Sequence, residues 1–429
     1  MSAARGRGLA QKRIRQQARP PARTRAKART KTRAKPATPL ESARRYETVA
    51  LVLQGGGALG AYQCGVYEAL HGAGIRPGWF AGTSIGAINA AILAGNAPTQ
   101  RVARLREFWK TIAEPAGTIV WPNATAVRDL LAWLPPNSVL SAWIGTLSAI
   151  GALAQGQRGF FTPRALSPFA QAPGTAAATS FYDTAPLRAT LERLVDFDRI
   201  NAGDVRLTIG ATNVRNGNFR YFDSANERIG PEHVMASGAL PPAFPAIEIE
   251  GETYWDGGLV SNTPLEYVLE STPRRDTLAL QVDLWSARGV IPRTLLDVLE
   301  RQKDIQYSSR TRMGTDAAAA RQKLRNTLAL LLETIPARHL PARVVADLEP
   351  WLCDRVFNVI HLIYQAKPYE EQFKDYAFGR IAMREHWHQG FEDMTHSLSH
   401  PEFFVPPPRE IGVATHDIHR RIAPAPIET

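Results

Sequence analysis

Within fewer than fifty residues the chain twice runs an apolar segment through a glycine turn and straight into a helix. The first unit is TVALVLQGGGALGAYQCGVYEAL (Thr48–Leu70) and the second is GWFAGTSIGAINAAILAGN (Gly78–Asn96). Successive strand–turn–helix units of this kind bring their strands side by side in the same direction, because each helix returns the chain over the sheet. The spacing predicts a buried strand over Thr48–Gln54 and a helix from about Gly60 to His71. A short second strand follows, then a tight turn at Gly82–Gly86 and a small-residue helix ending near Gly95. The class is therefore α/β, a parallel sheet covered by helices.

A glycine turn at the start of a helix presents free backbone N–H groups, so it suits a negative charge. Gly55, Gly57 and Gly60 satisfy G-x-G-x-x-G, the pattern that holds a dinucleotide pyrophosphate. That use requires an acid at the end of the next strand for the ribose, and WFAGTS (Trp79–Ser84) has none. In its place stands G-x-S-x-G, with Ser84 between Gly82 and Gly86. A strained strand-to-helix elbow pushes a serine hydroxyl clear of its neighbours, as a nucleophile needs.

Such a serine needs a base. The order Ser, Asp, His marks the α/β-hydrolases, but the 10 histidines here offer no convincing partner. His71 and His233 precede any suitable acid, and His361, His386 and His388 lie in a helical C-terminal region. YWDGGLVSNTP (Tyr254–Pro264) offers a carboxylate instead. Gly257 and Gly258 let the backbone bend sharply after Asp256, and a carboxylate in direct contact with a serine can serve as base in a dry site.

GGGALG, GTSIG and DGG, in that order, resemble the patatin-like phospholipase family over roughly residues 47–285. ASGALPPAFP (Ala236–Pro245) also looks like that family's connector on the substrate side. The resemblance implies a three-layer α/β/α fold and hydrolysis of lipid acyl esters, phospholipid or lysophospholipid, with no metal and no cofactor. It implies Ser84 as nucleophile, Asp256 as base, and an oxyanion hole at Gly55, Gly56, Gly57 and Ala58, with Gly60, Gly82, Gly86, Gly257 and Gly258 shaping the turns. Many members carry Arg in G-G-G-x-R-G where this chain has Leu59, which weakens any inference of an anionic headgroup. A neutral ester or a polyester such as a hydroxyalkanoate fits that departure equally well. The rival from another class is a non-catalytic protein of a lipid or granule surface. YAFGRIAMREHWHQGFED (Tyr376–Asp393) further resembles a helical extension found behind some bacterial patatin domains.

Charge divides the chain unevenly. Residues 1–45 hold 15 Lys and Arg against one acid, Glu41, out of totals of 51 basic and 40 acidic residues, so the rest of the chain is close to neutral. This tail, Arg5–Arg45, has no apolar periodicity. It reads as disordered and as a candidate contact for a polyanion, nucleic acid or anionic lipid, and its Arg-rich character also suits an organelle transit peptide. Cys64 and Cys353, the only cysteines, form no disulfide or zinc pattern. A reducing compartment follows, the cytoplasm, with peripheral contact to a membrane or lipid granule.

Residues 115–182 form an apolar insertion without a charge between Leu130 and Gln157, too rich in Gly, Ser and Thr for a membrane span. A capped helix is expected after Asp183 or Thr184, a hairpin at Asn216–Gly217, and a buried strand over TLALQVDLW (Thr277–Trp285). The region 286–429 reads as a mainly helical extension. In its last helix Phe373, Tyr376, Ile381, Trp387, Phe391 and Met394 share a face expected to pack on the main domain.

Overall fold

The computed structural model describes residues 37–114, 154–308, 311–366 and 374–418. Most of the basic tail and of the apolar insertion, together with Phe373, lies outside those residues. The tail expected to stay disordered to residue 45 departs from that expectation earlier. Thr38 caps a helical turn, Pro39–Ala43, by accepting the Glu41 N–H, and Ser42 and Ala43 are buried.

Among the described residues nine strands form the central sheet. In chain order they are β1 (Thr48–Leu53), β2 (Trp79–Thr83), β3 (Arg206–Asn213), β4 (Phe219–Asp223), β5 (Ile247–Ile249), β6 (Glu252–Asp256), β7 (Thr277–Asp283), β8 (Phe357–Ile363) and β9 (Val413–Asp417). Their spatial order is β9-β8-β7-β1-β2-β3-β6-β5, with β4 also paired to β3. The six from β9 to β3 are mutually parallel, and β4, β5 and β6 add antiparallel pairs. The β3–β4 hairpin turns at Asn216–Gly217 as its sequence predicts, with Gly217 at φ 70°.

Alternation along the strands sorts the core into two layers. Leu51 and Leu53 of β1 face helices α1 (Ala61–Gly72), α2 (Ile85–Ala94) and α3 (Arg101–Ile112). Ala50 and Val52 face the other side. The first face also takes α4 (Ala185–Leu194) and α5 (Pro231–Ser237), and the second takes α6 (Leu265–Glu270). The architecture is three-layer α/β/α.

The C-terminal region is mainly helical, with α7 (Leu295–Tyr307), α8 (Thr311–Thr334) and α9 (Arg380–Leu398). It also donates β8 and β9, which extend the sheet beyond β7 and were not anticipated as strands. Arg325 and Arg321 of α8 both pair with Glu270 of α6, at 2.5 and 3.2 Å. α9 crosses α1 at two glycines: a Cβ on Gly390 would sit 2.0 Å from the Tyr62 carbonyl oxygen, and one on Gly65 would lie 1.8 Å from that of Trp387. Tyr62 Oη donates to Asp393 (2.7 Å) and Trp387 Nε1 to Glu68 (2.6 Å) across the same crossing. Of the expected apolar face, Trp387 and Met394 are buried and Phe391 is exposed. Tyr376 lies in a separate turn, Lys374–Tyr376, because the helix starts only after Gly379.

Candidate active site

Two chain reversals meet beside β3. On one edge of that strand β2 pairs up to Thr83↔Gly210, and the next residue of β3 pairs with the last of β6, Ala211↔Asp256. β4 occupies the opposite edge over the same residues, so β6 fills the slot beyond the end of β2. The residue that follows β2 is Ser84 and the last of β6 is Asp256. Ser84 Oγ donates to Asp256 Oδ2 at 2.6 Å.

Ser84 is held in an unusual backbone state, φ 57° and ψ −126°. Such a conformation costs a residue with a Cβ about 1–3 kcal/mol. The surroundings enforce it. Ser84 N–H donates to Ser237 Oγ (2.9 Å), which in turn donates to the Gly210 carbonyl (2.6 Å), while the Ser84 carbonyl starts α2 by accepting from Ala87 and Ile88. The hydroxyl therefore sits at a helix N-terminus, the end that favours developing negative charge. The flanking glycines fit the close approach expected of them: a Cβ on Gly86 would lie 2.3 Å from the Leu53 carbonyl oxygen, and one on Gly82 would strike the Gly86 carbonyl.

Asp256 is only 2 % exposed. Burial pushes its carboxyl up to about 7, and the Ser84 hydroxyl and the Gly258 N–H (2.7 Å to Oδ1) offset only part of that effect. Gly257 packs against Thr83 and the Gly210 carbonyl, and Gly258 against Asn262. Among the described residues no histidine bonds to Ser84 or Asp256. His361 lies in β8 and His386 in α9, against Tyr364.

The glycine turn closes the site from β1. Gly55 lies against Ser84, since a Cβ on it would approach the serine Cβ to 2.9 Å. Gly57 has φ 55° and opens a single 3-10 turn, Gly57–Gly60, that leads into α1. The N–H groups of Gly56, Gly57 and Ala58 have no acceptor among the described residues. Gly60 packs on Ile85 and Trp109, and Leu59 is fully buried.

Several residues packed around the pair carry no signal of that place in the sequence. Ser237 lies inside the connector ASGALPPAFP and Asn262 inside DGGLVSNTP, where no residue pattern marks either one. Tyr307 and Tyr376 come from the C-terminal region. Burial raises both phenols, with Asp256 among the nearby charges that add to it, so both stay neutral beside the pair.

A family model described as patatin-like phospholipase matches residues 51–269, just over half of the chain. The chain belongs to the patatin-like phospholipase family. A second model, described as patatin phospholipase, matches residues 305–410 of this patatin-like protein, so the C-terminal region is covered too. Membership places the protein among lipid ester hydrolases. No curated protein matches the chain. Among solved structures, that of VipD from Legionella pneumophila is 16% identical with a TM-score of 0.33, over 82% of this chain and 67% of that one. No helix among the described residues of this patatin-like chain is long and apolar enough to cross a membrane.

Proposed function

We propose that the protein hydrolyses carboxylic esters of lipids, phospholipid or lysophospholipid, with Ser84 as nucleophile and Asp256 as base. The observation that carries this reading is the 2.6 Å contact between a strained serine and a buried carboxylate. A carboxylate that protonates near neutrality accepts a proton far more readily than an exposed aspartate. Ser84 Oγ bonds to the ester carbonyl carbon as its proton passes to Asp256 Oδ2, and the carbonyl oxygen becomes an oxyanion. The free N–H groups of Gly56, Gly57 and Ala58 hold that oxyanion. Collapse breaks the bond to the alcohol, which leaves with the proton from Asp256. Water then attacks the acyl-serine carbonyl carbon as Asp256 takes its proton; the second oxyanion collapses, breaking the bond to Ser84 Oγ, which takes the proton back from Asp256 as the acid is released.

A second reading, a neutral ester or hydroxyalkanoate polyester as substrate, is favoured by Leu59, which puts a buried apolar side chain where many relatives carry Arg. Contact with a lipid surface goes with either substrate and is supported by Leu259 and Val260, exposed just past Asp256. One panel tests the whole: phosphatidylcholine, lysophosphatidylcholine, a p-nitrophenyl ester and a polyhydroxyalkanoate, with Ser84→Ala as blank. At least one ester is hydrolysed by the wild type, Ser84→Ala loses about 10⁴-fold or more, and a fluorophosphonate labels only the wild type. Equal turnover by Ser84→Ala, or a wild type that never labels, refutes the reading.

A further inference from the structure

One side chain outside both matched segments sits directly behind the glycine turn. Trp285 follows β7 by two residues, and its indole Nε1 donates to the Gly55 carbonyl at 2.9 Å. The Asn262 side-chain amide donates to the same oxygen at 3.1 Å. In a trans peptide the carbonyl and the following N–H point in opposite directions. Two donors on the Gly55 oxygen therefore fix the Gly56 N–H to point away from the indole, as one of the three free N–H groups of the turn.

The indole itself is held on every side. Gln54, fully buried, accepts the backbone N–H of Leu284 (2.6 Å) and of Trp285 (2.9 Å) through Oε1. Gly56 packs on this pair: a Cβ there would meet Leu284 at 2.8 Å and Trp285 Nε1 at 3.1 Å. Tyr307, at the end of α7, tilts against the indole ring with centroids 5.4 Å apart, and its carbonyl accepts from both Asn262 and Gln54. The Lys374 ammonium lies 5.4 Å from the ring centroid, itself buried and paired with Glu300 (3.0 Å) and Asp304 (2.8 Å) of α7. Its neighbour Asp375 brings a backbone carbonyl against Gly57 and pairs with Lys303 at 2.9 Å.

We infer that Trp285 is a positioning residue of the proposed hydrolysis: its indole N–H, together with Asn262, aims the Gly56 N–H at the oxyanion, and the C-terminal region holds the indole in place. This rests on the Ser84–Asp256 reading. It makes the C-terminal helices and the Lys374–Tyr376 turn part of the catalytic apparatus, although they supply no reacting atom.

Trp285→Phe keeps an aromatic ring in the same space and removes only the N–H. Turnover of a short p-nitrophenyl ester, normalised to serine labelled by a fluorophosphonate, separates orientation from loss of folded enzyme. The expected result is a kcat about tenfold lower with KM within about twofold, a part of the 10²–10³ that a missing oxyanion donor costs. A trifluoromethyl ketone, which mimics the tetrahedral adduct, binds more weakly by the same factor. A normalised kcat within about twofold of wild type, or a loss confined to KM with the ketone bound as before, overturns the inference. Ser84→Ala run alongside keeps the two ideas apart. If that variant still hydrolyses the ester, the proposed function fails; if it is dead and Trp285→Phe is normal, only the positioning role falls.

Discussion

The raised carboxyl of Asp256 has a consequence for stability as well as for chemistry. An aspartate that protonates near 3.8 when unfolded and about 7 when folded binds more proton in the folded state between those limits. Folding stability from this group is therefore greatest below the lower value and falls as pH rises through the upper one. The separation is about three pH units at roughly 1.4 kcal/mol each, so ionised Asp256 destabilises the fold by about 4 kcal/mol above neutrality. Asp256→Asn removes the charge and keeps the size. Its stability advantage over wild type should grow by about 4 kcal/mol between about pH 4 and pH 8, which in a chain of this length is about 5 °C in midpoint. Thermal unfolding of both proteins across that range, monitored by circular dichroism, reads the difference directly. Parallel curves, with no pH-dependent gap, would refute the burial argument and with it the case for a strong base at this position.

The same titration should shape turnover: kcat/KM for a neutral ester rises with pH to a plateau, with an acid limb near 7, and a limb near 4 in a pH–rate profile would show Asp256 to be an ordinary carboxylate. Gly390→Val should cost more than about 3 kcal/mol, because its side chain has only the Tyr62 backbone to move into, and denaturant titration checks it. Deleting residues 1–36 should abolish salt-sensitive binding to DNA or anionic vesicles while sparing short-ester hydrolysis; a truncated protein that binds equally well in a salt titration removes the polyanion role of the tail.

The parts of the molecule that could be read from the chain are those whose chemistry is local. β1, β2 and their turns announce themselves because an apolar run, a glycine that must pack backbone to backbone and a small-residue helix occur in one unbroken stretch. The Asn216–Gly217 hairpin is legible for the same reason. β8 was not, since FNVIHLI is apolar on both faces and a short buried run of that kind has no period to separate strand from helix. Trp285 and Asn262 were invisible as participants because their partner, the Gly55 carbonyl, lies more than 200 residues away along the chain.

How Ser84 and Asp256 find each other shows where local and global information join. Neither motif specifies the other's position; the pairing partner of both is β3. Its first five residues pair with β2 and its last three with β6, so a single eight-residue strand sets the distance between elbow and DGG turn. Side chains alternate along a strand, so a one-residue slip of β6 on β3 would carry the carboxylate to the far face of the sheet. Gly257 guards against that slip, since it alone leaves room for the Gly210 carbonyl and Thr83 at the junction. The Ser84–Asp256 contact is thus a property of sheet register, and the DGG sequence serves the register as much as it serves the proposed chemistry.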